Sequence, residues 1–143
     1  MKASELMIGD WVYAIDDNGE KHPCRANNLE YDYTNKRGDF CVDFYGTGYE
    51  VEWPDITFNV EPIPITPEIL EKNGFVQNPR SKSRRSHQIC TDSVYISWWR
   101  GRLNISFKPF IGHSTNHVNV DGKYVHELQH ALRICGIEKE IVL

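Results

Sequence analysis

Glu61-Pro62-Ile63-Pro64-Ile65-Thr66-Pro67-Glu68 divides this chain in two. Proline locks φ and removes a backbone donor, so three prolines in the six residues 62–67 form an extended, stiff connector. The connector ends as a helix begins: Thr66 as N-cap, Pro67 in the first helical position, Glu68 in the first turn. The helix is expected over Pro67–Lys72, with Asn73-Gly74 ending it through residues that tolerate left-handed geometry. Charge changes sign across the same stretch. Residues 1–61 carry 5 basic and 13 acidic side chains, a net −8; residues 62–143 carry 11 and 7, a net +4. Two modules are therefore expected, an acidic one over 1–61 and a basic one over 62–143.

Upstream of the connector the chain reads as β. Ser4 is placed to cap a short turn before Ile8-Gly9-Asp10-Trp11-Val12-Tyr13-Ala14-Ile15, a run of strand formers closed by Asp16-Asp17-Asn18-Gly19. Leu29 to Tyr33 alternates apolar and acidic residues, as a half-buried strand does. Asn35-Lys36-Arg37-Gly38 turns the chain into Phe40–Tyr45. Gly46-Thr47-Gly48 is a hairpin turn into Tyr49–Trp53, and Ile56 to Val60 supplies a final strand. Five short strands within about 60 residues predict a small β-barrel of the src-homology-3 or Tudor type.

Downstream, strands are expected at Phe75-Val76, Gln88–Cys90, Val94–Trp98, Leu103–Phe107 and Val118–Val120, with a polar, basic loop from Asn78 to His87. Trp99-Arg100-Gly101-Arg102 turns between two of the strands. Tyr124 to Cys135 is amphipathic. Tyr124, Val125, Leu128, Ala131, Leu132 and Cys135 form its apolar face, and His126, Gln129, His130 and Arg133 lie opposite, toward solvent. Gly136 stops the helix, and Ile137 to Val142 is expected to return as a strand. The fold class is α+β and β-rich: a small barrel followed by an α+β module with an antiparallel sheet and two helices.

The composition, 40% hydrophobic and 25% charged in 143 residues, is that of a globular domain rather than a disordered chain. No apolar run reaches membrane length and no signal-like segment follows Met1, so a cytoplasmic protein is expected. Cys24, Cys41, Cys90 and Cys135 are widely spaced with no C-x-x-C pair. They are expected as reduced core residues.

Three patterns carry chemistry. His126-Glu127-Leu128-Gln129-His130 spells H-E-x-x-H, in which two histidines one turn apart bind zinc and the glutamate acts as general base. A catalytic zinc needs a third protein ligand. Arg133 and Gly136 stand where the metzincin extension requires glycine and histidine, and nothing selects among Glu138, Glu140, His113 and His117. His126 and His130 are the only residues placed for a metal, and a zinc metallopeptidase is the weakest reading. The second pattern is basic: Arg80, Lys82, Arg84 and Arg85, followed by Trp99, Arg100 and Arg102. Cations neutralise phosphates and an exposed indole stacks on unpaired bases, so this set is the candidate nucleic-acid surface. The third is aromatic. Trp11, Tyr13, Tyr45, Tyr49 and Trp53 crowd the acidic module and are candidates for a groove that binds a partner protein. Phosphate-binding loops, dinucleotide fingerprints and nucleophile elbows are absent from the sequence.

The opening MKASELMIGDWV, the connector EPIPITPEILEKNGF and the ending YVHELQHALRICGIEKEI together resemble a family of short proteins from Bacteroides-type bacteria, their phages and mobile elements. That resemblance implies a phage- or element-linked accessory protein. The family's last helix looks like H-x-L-Q-N; His126, Leu128 and Gln129 match it, and His130 stands where the family has asparagine. Composition, motifs and resemblance together lead to a non-enzymatic binding or adaptor protein without cofactor, with an unknown protein partner. Weak nucleic-acid binding is the rival reading.

Overall fold

The fold is taken from a computed structural model, in which the described residues are 5–15, 18–31, 40–46, 59–79, 86–107 and 117–143, with 27–31, 40–46 and 59 described in backbone only. It is α+β and strand-rich, with two antiparallel sheets and two helices among the described residues. The chain divides into two compact units, Met1–Ile63 and Pro64–Leu143. Neither helix is long and apolar enough to cross a membrane.

The first unit contains β1 (Trp11–Ile15), β2 (Lys21–Tyr31), β3 (Phe40–Gly46) and β4 (Asn59–Pro62) in the order β3-β2-β1-β4. Among the described residues β3 and β4 do not pair, so the barrel closure expected from the sequence is not found. The expected strand Tyr49–Trp53 lies outside the described residues, as does Ser4. β1 begins three residues later than expected, because Met7 to Asp10 forms a turn. Asp10, fully buried, accepts the Met7 N–H at 2.8 Å, and Gly9 (φ 87°) donates its N–H to the Ala26 carbonyl. β2 is longer than expected. It starts at Lys21 and carries Pro23, which weakens a strand reading from sequence. β3 reaches only to Gly46, opposite Cys24. Among the described residues Pro23 therefore lies where β2 pairs on one side only, with Tyr13 of β1, a position that tolerates proline.

Leu6, Val12 and Cys24 form this unit's core, with Ala14 and Val60 packed against them. Burial pushes the Cys24 thiol up to about 11 from 9.0, only partly offset by the Ala14 backbone hydrogen bond. The folded state thus holds its proton more tightly than the unfolded chain does. The stability this contributes is fully present below about pH 9 and is lost as pH rises through about 11, at most about 2–3 kcal/mol. Denaturant unfolding of the wild type is expected to lose more stability between these pH values than that of Cys24→Val; equal losses would show an unshifted thiol. Cys90 is exposed and Cys135 half-buried, so of the three cysteines with described side chains only Cys24 takes the core position expected of them.

The connector is largely absorbed into structure. Glu61 and Pro62 belong to β4, paired with Tyr13 and Val12. Pro64 bridges to Tyr124, and Ile65 donates its N–H to the Lys123 carbonyl at 2.9 Å. α1 (Pro67–Lys72) starts as the sequence predicts, with Thr66 Oγ1 accepting the Ile69 N–H at 3.3 Å.

The second unit orders β5 (Val76–Gln77), β6 (Ser86–Cys90), β7 (Val94–Trp99), β8 (Arg102–Phe107) and β9 (His117–Asp121) sequentially in one antiparallel sheet. α2 spans Val125–Ile134. Both helices end in the same Schellman pattern. Phe75 and Ile137 donate back to Leu70 and Leu132, and Gly74 (φ 75°) and Gly136 (φ 68°) take the left-handed position. One sheet face carries His87, Ile96, Trp98, Leu103 and Ile105 toward the helices, where Leu70, Phe75, Leu128 and Leu132 complete the core. His87 is buried there, with Nε2 3.3 Å from Glu71 of α1. Ile137 to Val142 forms no strand. Its partner is a side chain: Asn73 donates to the Val142 carbonyl and accepts the Val142 N–H.

Candidate functional site

The H-E-x-x-H motif is part of a helix cap. Glu127 occupies the third position of α2, and its Oε2 accepts N–H bonds from Lys123 at 2.7 Å and Tyr124 at 3.0 Å, the reach-back half of a capping box. That carboxylate is committed to the backbone rather than poised over a ligand. The two histidines do not share a solvated face, as the sequence led us to expect. His126 is only 4% exposed and Gln129 is buried; in α2 only Arg133 and Ile134 are exposed. The His126 ring stacks on Tyr124 with centroids 5.9 Å apart, and His130 meets it edge-on at 5.9 Å. Packing covers the polar flank as well as the apolar one, and a helical wheel, which sorts residues by polarity alone, cannot anticipate that. Among the described residues no group of three metal-ligating side chains forms.

Of the residues expected to line an aromatic groove in the acidic unit, only Trp11 and Tyr13 have described side chains. Trp11 is buried, with the Arg25 guanidinium 4.6 Å from its ring centroid, and Tyr13 is half-buried. Trp11 is thus a packing residue: it lies on the face of β1 opposite Val12 and is covered there by its cross-strand partner Arg25. Tyr49 and Trp53 lie outside the described residues, and Tyr45 is described in backbone only.

The basic and aromatic signals converge on one end of the second sheet. β7 and β8 are joined by a two-residue turn in which Arg100 has φ 49° and Gly101 φ 75°, the signature of a type I′ hairpin. Glycine or asparagine normally fills the first of these positions, so an arginine there carries backbone strain. The strained residue sits beside an exposed aromatic: Trp99 is 47% exposed, and the Arg100 guanidinium lies 4.8 Å from its ring centroid. Arg102, exposed, is Trp99's partner across the ladder. Lys123 packs its stem on Gly101, so closely that a Cβ there would come within 3.0 Å of Lys123 Cγ. Trp98, the neighbour that faces inward, anchors the tip by donating Nε1–H to the Gly122 carbonyl.

Arg80, Lys82, Arg84 and Arg85 lie outside the described residues. The run nevertheless ends one residue before Ser86, and Ser86 is paired with Trp99.

The sheet face that bears Trp99 is turned away from the helices. Its rows are Ser86-Trp99-Arg102-Asp121, Gln88-Ser97-Asn104-Asn119 and Cys90-Tyr95-Ser106-His117. Hydrogen bonds fix several of these groups: Tyr95 to Gln88 at 2.7 Å, Asn104 to Asn119 at 2.9 Å, Ser106 to Asn104 at 3.1 Å. Tyr95 and Trp99 thus stand on one strand of a polar face, in which Ser86 and Ser106 are buried. Sequence reasoning identified Trp99 and the arginines but missed Tyr95, Lys123 and the amide row. The alternation Tyr95-Ser97-Trp99 was a usable signal for the first; Lys123 is joined to the tip only by tertiary packing.

No protein-family model, curated protein or solved structure matches this chain.

Proposed function

We propose that the chain is a non-enzymatic accessory protein whose second unit binds single-stranded nucleic acid at the Trp99–Arg102 end of its polar sheet face. The observation that carries the reading is the exposed Trp99 with Arg100 over its ring, on a turn whose left-handed backbone is unfavourable for arginine. Around it stand Arg102 and Lys123, and the Arg80–Arg85 run leads into its paired strand. An indole stacks on a base at about 1–3 kcal/mol, and each cation adds a salt-dependent phosphate contact. Asp121, opposite Arg102, tempers the positive charge and favours weak binding. The acidic first unit repels a polyanion and is left for protein contact, where the closed small barrel and the adaptor role remain part of the proposal. Its exposed Met7 and Ile8, on the turn held by Asp10, are the surface that favours such a contact.

Fluorescence anisotropy of the full chain with labelled oligonucleotides at low salt tests the reading. Single strands are expected to bind more tightly than duplex, with affinity falling steeply as salt rises. Trp99→Ala is expected to weaken single-strand binding roughly 5- to 100-fold, and Arg100→Glu with Arg102→Glu to abolish it. Arg100→Asn places Asn-Gly in a type I′ turn. It is expected to raise stability by about 0.5–1 kcal/mol while weakening binding, since strain is relieved and a cation lost. Absence of binding at low salt, or binding indifferent to Trp99→Ala and the double reversal, would rule the reading out.

A further inference from the structure

The middle row of the polar face, Gln88-Ser97-Asn104-Asn119, carries a side-chain amide on three of its four strands. An amide has two N–H donors and one acceptor oxygen, so what it offers a ligand depends on which of these its neighbours have claimed. Here they claim the oxygens. Gln88 Oε1 accepts the Tyr95 hydroxyl at 2.7 Å, Asn104 Oδ1 accepts the Ser106 hydroxyl at 3.1 Å, and Asn119 Oδ1 accepts Asn104 Nδ2 at 2.9 Å. The last of these bonds uses an amide N–H; the other two do not. Among the described residues both N–H groups of Gln88, both of Asn119 and one of Asn104 are left for a ligand. Asn119 is exposed, and Gln88 and Asn104 are half-buried. The row therefore presents mainly donors.

Its place relates it to the indole. Ser97 precedes Trp99 by two residues on β7, so the row crosses the face about 7 Å from Trp99. A base lying on the indole brings its edge to that row. Asp121, the carboxylate of this face, is two strands or about 10 Å from Trp99, with Arg102 between them. Bases differ in what their edges carry. Guanine, thymine and uracil bear a keto oxygen where adenine and cytosine bear an exocyclic amine.

We propose that the amide row makes the Trp99 site selective for keto bases, so that its ligand is a single strand rich in guanine and in uracil or thymine. The inference rests on the nucleic-acid reading and adds the class of base to it. A keto oxygen accepts the amide N–H groups, whereas an exocyclic amine sets donor against donor and leaves both unpaired.

Fluorescence anisotropy of the full chain at low salt, with labelled oligo-deoxyuridine and oligo-deoxycytidine of equal length, tests it. The two strands share backbone and ring size and differ at the keto or amine position. Oligo-deoxyuridine is expected to bind roughly 5- to 20-fold more tightly. The triple variant Gln88→Thr, Asn104→Thr, Asn119→Thr replaces each amide with a hydroxyl, which donates and accepts alike, on a residue that favours strands. It is expected to bind both oligonucleotides equally, with the wild type's dependence on salt, since no charge has changed. Equal binding of the two strands by the wild type, or a preference for deoxycytidine, overturns the proposal and leaves the nucleic-acid reading standing; that comparison needs no variant to fold. A deoxyuridine preference that survives the triple change also overturns it, because the selective donors then lie elsewhere. Absence of binding to either strand overturns both.

Discussion

Gly122→Ala is expected to destabilise the second unit by about 2–3 kcal/mol, because the added methyl group has nowhere to go. A Cβ at this position would lie 2.5 Å from Leu103 Cγ and 3.0 Å from the Leu103 backbone nitrogen. Leu103 is fully buried near the start of β8, a strand paired on both sides, so neither its side chain nor its strand can withdraw without opening the core. The Gly122 carbonyl accepts the Trp98 indole N–H and the Gly122 N–H donates to the Gly101 carbonyl, so displacing Gly122 also loosens the hairpin tip. Guanidinium unfolding followed by tryptophan fluorescence measures the loss. Leu103→Ala, combined with Gly122→Ala, is expected to cost less than the sum of the two single changes, since the small side chain makes room for the methyl group. A Gly122→Ala midpoint equal to that of the wild type would show that the approach is not as close as described.

Asn73→Ala is expected to cost a further 2–3 kcal/mol or so and to release the chain after α2. The Asn73 side chain is almost wholly buried. Its Nδ2 donates to the Ile69 carbonyl at 2.7 Å and to the Val142 carbonyl at 2.7 Å, and its Oδ1 accepts the Val142 N–H at 3.0 Å. The amide thereby offers Val142 the donor and acceptor that a neighbouring strand would. It also positions Ile141, which is buried. Alanine leaves those backbone groups without their partner and removes the tether on Ile141. Hydrogen exchange of residues 137–143 is the direct readout. The Val142 amide is expected to lose most of its protection, while amides of β7 and β8 change only by the global loss of stability. Unchanged protection at Val142 would mean that the segment is held by other contacts.

Local signals were legible. Thr66, Pro67 and the glycines after each helix act within a few residues of themselves, through caps and φ preferences that need no distant partner, and they marked α1 and the end of α2 correctly. Alternation located β7 and β8 for the same reason, since a strand's two faces are written in neighbouring residues. The change of composition at Pro62–Pro67 lies beside the division between the units, at Ile63 and Pro64. For the candidate site, Trp99, Arg100 and Arg102 were visible because an aromatic among arginines is unusual on any surface.

Tertiary structure decided the rest, because it depends on which distant residues meet. His126 and Glu127 match a catalytic motif in sequence, yet the folded helix uses the glutamate as a cap and buries the histidine beside Tyr124. Ile137 to Val142 has a strand's composition, yet the group that satisfies its backbone is an asparagine side chain 69 residues earlier. Trp11 has the character of a binding aromatic, yet Arg25 from the neighbouring strand covers it. Ser86 and Trp99 are 13 residues apart in the chain, and only strand pairing brings them side by side. Sequence by itself determined the caps, the breaks, the strand faces and the balance of charge, all short-range effects. Burial and side-chain partners were decided by the fold, because each is a property of surfaces that exist only once separate segments pack together.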